Sequence, residues 1–563
     1  MVRKKKEYLW ERKYPQGVEW DININPRPLY SLLEKSAEKY PDNICTEFEG
    51  KTHTYLEISE FANKMAEGLQ GLGVKKGDRI GLLLPNCPYY IVAYYAILKI
   101  GAIIVNFSPL YSINELSKQV KDSGIKILVT IDHRELYEKT SNLLQTTPLE
   151  KAIIGSLEKM LPFPKDKLFK LFKGNQIAAV SYGKVNIELE SFFELSGNYQ
   201  YVNINPLEDI AALQYTGGTT GEPKGAILTH ANLYMNAVQC SLWFAGIEEG
   251  KEKIMAVLPF FHVFAMTAVM NFAIYNALAL ILMPKFSINQ LIRDIHKKRP
   301  TLMPGVPTLF AAINNSKKLK GFDLTSLKAC VSGGAPLPVA IREQFEAIAS
   351  CKLIEGYGLT ESSPVVSANP LIGDNKTGSI GMPLPGTVIE IRHVEGGGKK
   401  LVKDGEIGEI CVIGPQVMQG YWNNEKENKE VLRGNRLHTG DLGYMDEDGY
   451  IFVVDRLKEV VIISGFNVYP REIEELLYKH TSISEAAVIG LPDEYKGQKL
   501  KAFIKLRLGE ELSQEKVTDY LKGKLAKYKV PEEIEFVKEL PKTMIGKVDK
   551  KKLSSGSDKR SNI

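Results

Sequence analysis

Eleven residues, Tyr215-Thr216-Gly217-Gly218-Thr219-Thr220-Gly221-Glu222-Pro223-Lys224-Gly225, follow the apolar run Ile210 to Leu213 and have the makings of a polyphosphate cradle. Gly217, Gly218 and Gly221 let backbone amides approach anionic oxygens, Thr216, Thr219 and Thr220 add hydroxyl donors, and Lys224 supplies a point charge. The pattern is not the common P-loop, where lysine directly follows the second glycine and a helix opens. Here Glu222-Pro223 precedes Lys224, and Gly225 to Thr229 reads as a second strand. The plain alternative is a hairpin turn with no ligand, though turns seldom combine so many glycines, threonines and a lysine.

Further along, Pro259-Phe260-Phe261-His262-Val263-Phe264-Ala265 sets one histidine among aromatics, which fits a buried core residue as well as a catalyst. In Ser332-Gly333-Gly334-Ala335-Pro336 and Glu355-Gly356-Tyr357-Gly358-Leu359-Thr360-Glu361-Ser362, the glycines let a flat purine lie against backbone and Tyr357 offers a stacking face. Thr360 has the chemistry to bind phosphate and Glu361 that to bind a divalent cation; magnesium needs few carboxylates when it shares ATP oxygens. Leu437-His438-Thr439-Gly440-Asp441 places an acid in a turn, suited to accept ribose hydroxyls or to close an ordinary Asx turn. Near the end, Pro541-Lys542-Thr543-Met544-Ile545-Gly546-Lys547 carries a lysine beyond a turn, which by itself is a surface charge.

Several elements must hold these residues in place. At 563 residues the chain exceeds one core, and its 44% apolar and 25% charged content is that of a folded protein. A net charge of +5 is small for this length and gives no footing for nucleic acid. Basic residues gather at both ends, Arg3 to Lys6 and Lys547 to Arg560, as solvated faces or as contacts for anionic lipid or nucleotide phosphates. Six scattered cysteines, with no CxxC pair and no histidine at metal spacing, predict reduced thiols in a cytoplasmic protein. The N-terminus has a positive start without an apolar segment behind it, so no cleaved signal peptide is expected.

Strand-like and helix-like segments alternate through the first part: a helix from Leu29 to Tyr40, strands at Arg79 to Leu84 and Ile125 to Thr130, a helix from Tyr89 to Ile100. Lys165 to Lys173 (KDKLFKLFK) forms a basic amphipathic helix, equally able to lie in a membrane interface or to pack on its own protein. Ile254 to Pro284 lacks any charged residue, yet its prolines, His262 and Asn271 fragment it, which predicts a strand, a helix from Phe264 to Ala277 and a strand at Ala279 to Leu282, buried rather than membrane-spanning. After Asp455 the texture changes to a small α+β unit with a helix at Pro470 to Lys479 and strands at Glu485 to Leu491 and Lys501 to Leu506. Two domains are expected, 1–455 and 456–563.

The string YTGGTTGEPKG resembles the phosphate loop of the adenylate-forming enzymes, the superfamily of acyl-CoA synthetases, luciferases and peptide-synthetase adenylation domains. YGLTES matches the same pattern, and the likeness runs from about residue 10 to 553. It implies an α/β plus α+β fold, a large multi-layered N-terminal domain with a small mobile C-terminal domain hinged at Lys458. It implies ATP binding by Thr216, Gly217, Gly218, Thr219, Thr220, Gly221, Lys224, Gly333, Gly334, Ala335, Glu355, Gly356, Tyr357, Gly358, Thr360, Asp441, Arg456 and Lys547, with Asp441 and Arg456 on the ribose. Mg2+ falls to Glu361 and Thr216, coenzyme A to Val263, Ser464, Gly465 and Phe466, and catalysis to Lys547, Thr360, Glu361 and His262. WERKYPQGV (Trp10 to Val18), LPFPKDKLFKLF, LPFFHVFAMT and SGFNVYP look most like bacterial long-chain fatty acyl-CoA synthetases. Two departures bear on chain length: Met266 stands where some relatives gate the acyl tunnel with tryptophan, and Ile462 where many have lysine. The implied reaction joins a long- or medium-chain fatty acid to CoA through an acyl-adenylate. The rivals are an aryl-CoA ligase, a fatty acyl-AMP ligase, and an ATP-binding membrane-surface protein without turnover. Peripheral association with an anionic membrane fits the basic helix, and the oligomeric state is open.

Overall fold

Ile103–Asn106 and Ile127–Ile131 are buried at every position, as apolar strands of a parallel sheet covered on both faces must be. In the computed structural model, which describes residues 8–216, 223–543 and 547–558, they lie in an eight-stranded sheet. Its order is Gly420–Tyr421, Lys224–Thr229, Ile210–Thr216, Ile103–Asn106, Arg79–Leu82, Ile127–Ile131, Lys151–Gly155, Asn186–Glu188. Strands from Ile210–Thr216 onward are parallel, whereas Ile210–Thr216 and Lys224–Thr229 form an antiparallel hairpin in which Thr216 opposes Lys224. A second, nine-stranded sheet contains Lys253–Ala256, Leu302–Gly305, Ala329–Ser332 and Lys352–Gly358 in succession, all parallel.

Pro88–Lys99 is buried along its whole length, and a helix apolar on every side has to sit inside the protein. Its one charge, Lys99, is held by an ion pair with Glu34 and lies 5.4 and 5.6 Å from the ring centres of Tyr30 and Tyr199. Thr54 caps helix Tyr55–Gly71 before it and Ser112 caps helix Ile113–Ser123 after it, through reciprocal bonds with Glu57 and Glu115, the pattern that satisfies first-turn amides.

A smaller antiparallel sheet follows, with Val388–Arg392, Gly408–Ile413, Arg436–Met445 and Ile451–Arg456 among its strands. One continuous apolar core runs from Trp10 to Ile451. From Val461 on, two small cores are built by a separate sheet of Val461–Ile463, Phe466–Val468, Ile483–Asp493, Gly497–Leu506 and Glu533–Phe536 against Pro470–Tyr478 and Gln514–Lys522. The architecture is a large layered α/β body with a small α+β domain.

The uncharged stretch divides as its prolines and polar residues dictate, into strand Lys253–Ala256, a helical run Val263–Tyr275 and strand Ala279–Leu282. Its middle, Met266–Asn271, is a π-helical turn, a feature frequent at functional sites and one that apolar periodicity does not disclose. Among the described residues no helix is long and apolar enough to cross a membrane. Lys165–Lys173 is helical, and none of its residues is buried.

Candidate active site

The second sheet delivers its strand ends to one place. Strand Ala329–Ser332 runs into the loop of Gly333, Gly334 and Ala335, and neighbouring Lys352–Gly358 carries Glu355, Gly356, Tyr357 and Gly358. Gly333 lies so close to the Phe264 ring that an added Cβ would meet it at 2.9 Å. Gly334 has φ +81°, and its missing Cβ would stand 3.9 Å from Cε of Lys547. A lysine from the C-terminal domain therefore reaches the glycine loop of the N-terminal one.

The acid and the arginine meet across an antiparallel pair in which Asp441 and Arg456 are register partners. Asp441 accepts a hydrogen bond from the Tyr357 hydroxyl at 2.5 Å and forms an ion pair with Arg456 Nε at 3.2 Å. Enclosure and the Asp441 carboxylate together push the Tyr357 phenol well above its ordinary range. The backbone of Asp441 is fixed in turn: its N–H donates to Thr439 Oγ1, whose hydroxyl donates to Ile410 O.

Enclosure by protein, and then the Arg456 guanidinium, pull Lys547 down to about 8. Enclosure also lowers His262 to about 4, with the Lys547 charge adding to it, so its imidazole is neutral at physiological pH. Its Nδ1 accepts from Phe264 N at 3.3 Å and so cannot carry the proton; Nε2 does. Burial raises Glu355 to about 7, while Arg471 on the C-terminal helix Pro470–Tyr478 opposes the rise. Because Lys547 is charged below about 8 and neutral above it, a step needing the ammonium weakens as pH rises. The kcat/KM for adenylation is expected to fall about tenfold per pH unit above 8. Lys547→Arg should abolish that limb, and a pH profile of pyrophosphate release measures both.

A second set gathers at the mouth of the hairpin. Lys224 pairs with Glu427 and stands 5.6 Å from the centre of the Tyr421 ring, while the Tyr421 hydroxyl donates to Glu361 Oε1 at 2.5 Å. Thr360 and Glu361 occupy a single 3-10 turn, Thr360–Ser362, tied by Met418 N donating to Glu361 O at 2.8 Å. Arg456 feels the charges of both Asp441 and Glu361, which places it between the two sets. Thr216 lies at the end of its strand opposite Lys224; Gly217, Gly218, Thr219, Thr220 and Gly221 lie outside the described residues.

The residues expected at the thiol behave differently. Val263 is buried beside His262. Ser464 and Gly465, with φ of 50° and 86°, form the tight turn between Val461–Ile463 and Phe466–Val468. Phe466 is exposed and stacks on Tyr528 with ring centres 4.9 Å apart, so this group faces solvent on its own domain. Lys458 lies in the 3-10 turn Leu457–Glu459, between the last strand of the large domain and the first of the small one. Met266 is fully buried, its sulfur accepting from Asn106 Nδ2 at 3.3 Å.

Residue pattern alone does not single out Tyr421 or Glu427, because Lys224 and Glu427 are 203 positions apart and meet only through strand pairing. The same holds for Glu409, which binds His438 Nδ1 at 2.7 Å and accepts Gly440 N at 3.1 Å, bracing the turn before Asp441. With Cys411, these two are the one group of potential metal ligands in mutual reach among the described residues, assembled by strand register where sequence spacing shows nothing.

The AMP-binding enzyme family model matches residues 33–422, and its C-terminal domain model matches residues 472–547. The chain belongs to the AMP-binding enzyme family. This AMP-binding enzyme is 41% identical over 547 residues to the long-chain-fatty-acid–CoA ligase of Bacillus subtilis, covering 97% of both chains. It is 31% identical to a 4-coumarate–CoA ligase of Humulus lupulus, covering 97% of this chain and 96% of that one. Among solved structures it resembles an anthranilate CoA ligase in complex with anthranoyl-AMP, with a TM-score of 0.85, 26% identity and coverage of 96% and 99%. ATP-bound MatB from Rhodopseudomonas palustris matches with a TM-score of 0.83 and 26% identity, covering 94% of this chain and 99% of that one.

Proposed function

We propose that this AMP-binding enzyme joins a long-chain fatty acid to coenzyme A in two steps, through an acyl-adenylate. The observation that carries this reading is the approach of Lys547 to Gly334 beside Asp441, Arg456 and neutral His262. A carboxylate is a poor acyl donor because its leaving group would be oxide. Its attack on the α-phosphorus of ATP expels pyrophosphate and turns that oxygen into part of AMP; the CoA thiol then attacks the acyl carbon and AMP leaves. Asp441 and Arg456 bind the ribose, Tyr357 lies against the adenine, and the Thr216–Lys224 hairpin with Thr360 takes the phosphates. Lys547 offsets the charge that gathers on the α-phosphoryl group, an electrostatic contribution available without moving any proton. His262, neutral and donating through Nε2, orients the substrate carboxylate.

Glu361 suits a divalent cation: it is half-buried and has the neutral Tyr421 hydroxyl as neighbour, and Tyr421 in turn lies beside Lys224, the register partner of Thr216. Magnesium held there with Thr216 would neutralise phosphate charge.

The two half-reactions need different neighbours at one carbonyl. The small domain, expected from 456 but with Arg456 still in the last strand of the large one, turns about Lys458, withdrawing Lys547 and bringing Ser464, Gly465 and Phe466 to the Val263 side as a thiol channel. Purified protein should release AMP from ATP in a CoA-dependent manner with palmitate but not with 4-coumarate. AMP release with 4-coumarate alone would favour an aryl-CoA ligase, and adenylate accumulation without CoA dependence a fatty acyl-AMP ligase.

Lys165–Lys173 supplies a surface for an anionic membrane from which such acids are drawn. Leu171 and Phe172 are each 75% exposed and Phe163 82%, with Lys165, Lys167, Lys170 and Lys173 beside them. Sedimentation with phosphatidylglycerol vesicles should fall at least about tenfold for Leu171→Ser/Phe172→Ser, from the apolar transfer energy of two side chains. Activity on octanoate should be unchanged, and equal sedimentation of variant and wild type would remove this helix from the membrane contact.

A further inference from the structure

Cys330, in strand Ala329–Ser332, and Cys351, directly before the neighbouring parallel strand Lys352–Gly358, stand with their sulfurs 3.8 Å apart. Cys330 pairs in register with Leu353, and Cys351 lies two residues before it, so both thiols leave the sheet on one side. The pair is asymmetric. Cys330 is fully buried, whereas Cys351, at 8%, is the most exposed of the six cysteines, the others being 0 or 1%.

Cys351 opens onto a surface groove lined also by Lys328, Arg342, Glu346 and Lys352. Lys352 donates to Leu371 O and Arg342 to Thr377 Oγ1, each at 2.8 Å, while Lys328 pairs with Glu252, outside the groove, at 2.7 Å. The single carboxylate, Glu346, is engaged by Leu353 N. Of the two thiols Cys351 is the one that borders this groove, where an oxidant arrives first, whereas burial pushes the Cys330 thiol well up.

We propose that Cys330 and Cys351 form a peroxide-sensitive dithiol that regulates the nucleotide site. The Cys351 thiolate attacks one oxygen of hydrogen peroxide, giving a sulfenic acid and hydroxide. The Cys330 sulfur then attacks the Cys351 sulfur, the S–O bond breaks, and water leaves with the thiol proton. In sum two thiols lose two electrons and peroxide becomes two waters. A disulfide brings the sulfurs to about 2.05 Å, well inside their present contact. The elements it draws together are the ones that end in the site: Ala329–Ser332 enters Gly333 to Ala335, and Lys352–Gly358 carries Glu355 and Tyr357. Displacements of this order at a nucleotide platform cost roughly tenfold to a hundredfold in activity. The functional half rests on the adenylation reading; the covalent half does not.

The full chain is treated with hydrogen peroxide, alkylated, digested and mapped by mass spectrometry, beside Cys351→Ala and Cys330→Ala. The expected result is a linked peptide pair containing both cysteines in the wild type and in neither variant. A loss of at least about tenfold in palmitate-dependent AMP release should accompany it, reversed by dithiothreitol and absent in Cys351→Ala. Two alkylated thiols at 330 and 351 after peroxide, or sulfinic acid without a linked pair, would overturn the dithiol whatever substrate the enzyme takes. A linked pair with unchanged ATP saturation would overturn the regulation.

Discussion

Lys547→Ala is expected to lower acyl-adenylate formation by about 10²–10³-fold, the usual effect of removing one preorganised charge from a developing anion. The same variant should convert preformed palmitoyl-adenylate and CoA to thioester at nearly the wild-type rate. The asymmetry follows from where Lys547 stands: within reach of Gly334, lowered to about 8 by enclosure and Arg456, and close enough to His262 to depress that imidazole. A lysine maintained at that cost to its own charge is placed to meet a phosphate, which would restore its ordinary affinity for a proton. Single-turnover assays of the two half-reactions separate the effects. Equal losses in both would mean that Lys547 serves folding or substrate binding in general.

Lys458→Pro should have the opposite profile, keeping adenylation and losing thioester formation by a comparable factor. Lys458 lies in the 3-10 turn Leu457–Glu459 that joins strand Ile451–Arg456 of the large domain to Val461–Ile463 of the small one. Proline fixes φ near −65°, within the 3-10 range, and so restricts the torsional change that domain rotation demands. The arrangement with Lys547 inside the site is retained, and Ser464, Gly465 and Phe466 stay turned to solvent. Burst kinetics would show one equivalent of pyrophosphate with little CoA-dependent turnover. Normal turnover would remove Lys458 from the hinge.

What sequence disclosed here is chiefly what is local. The strand before the glycine-threonine loop and the strand after Lys224 appear as Ile210–Thr216 and Lys224–Thr229, because apolar runs punctuated by Gly and Pro carry their own boundaries. The division of the uncharged stretch was legible for the same reason. Contacts between distant strands were not. Tyr421 reaches Glu361 only because Tyr421 pairs with Ala226 across the sheet, and Glu409 meets His438 only through an antiparallel register. The neutrality of His262 comes chiefly from its enclosure, with Lys547 of the other domain adding to it, and no pattern around Pro259 to Ala265 encodes either. Periodicity gave the amphipathic helix Lys165–Lys173 but not its partner, since a stripe of Leu and Phe reads alike whether it meets protein or lipid.

The most direct measurement is exchange of radiolabelled pyrophosphate into ATP by the purified protein, with no coenzyme A present. Exchange that begins only on adding palmitate, and that nearly vanishes in Lys547→Ala, is the outcome expected of a carboxylate capped reversibly with AMP. Exchange absent with every fatty acid from octanoate to oleate, or ADP in place of AMP as the product, would contradict the account.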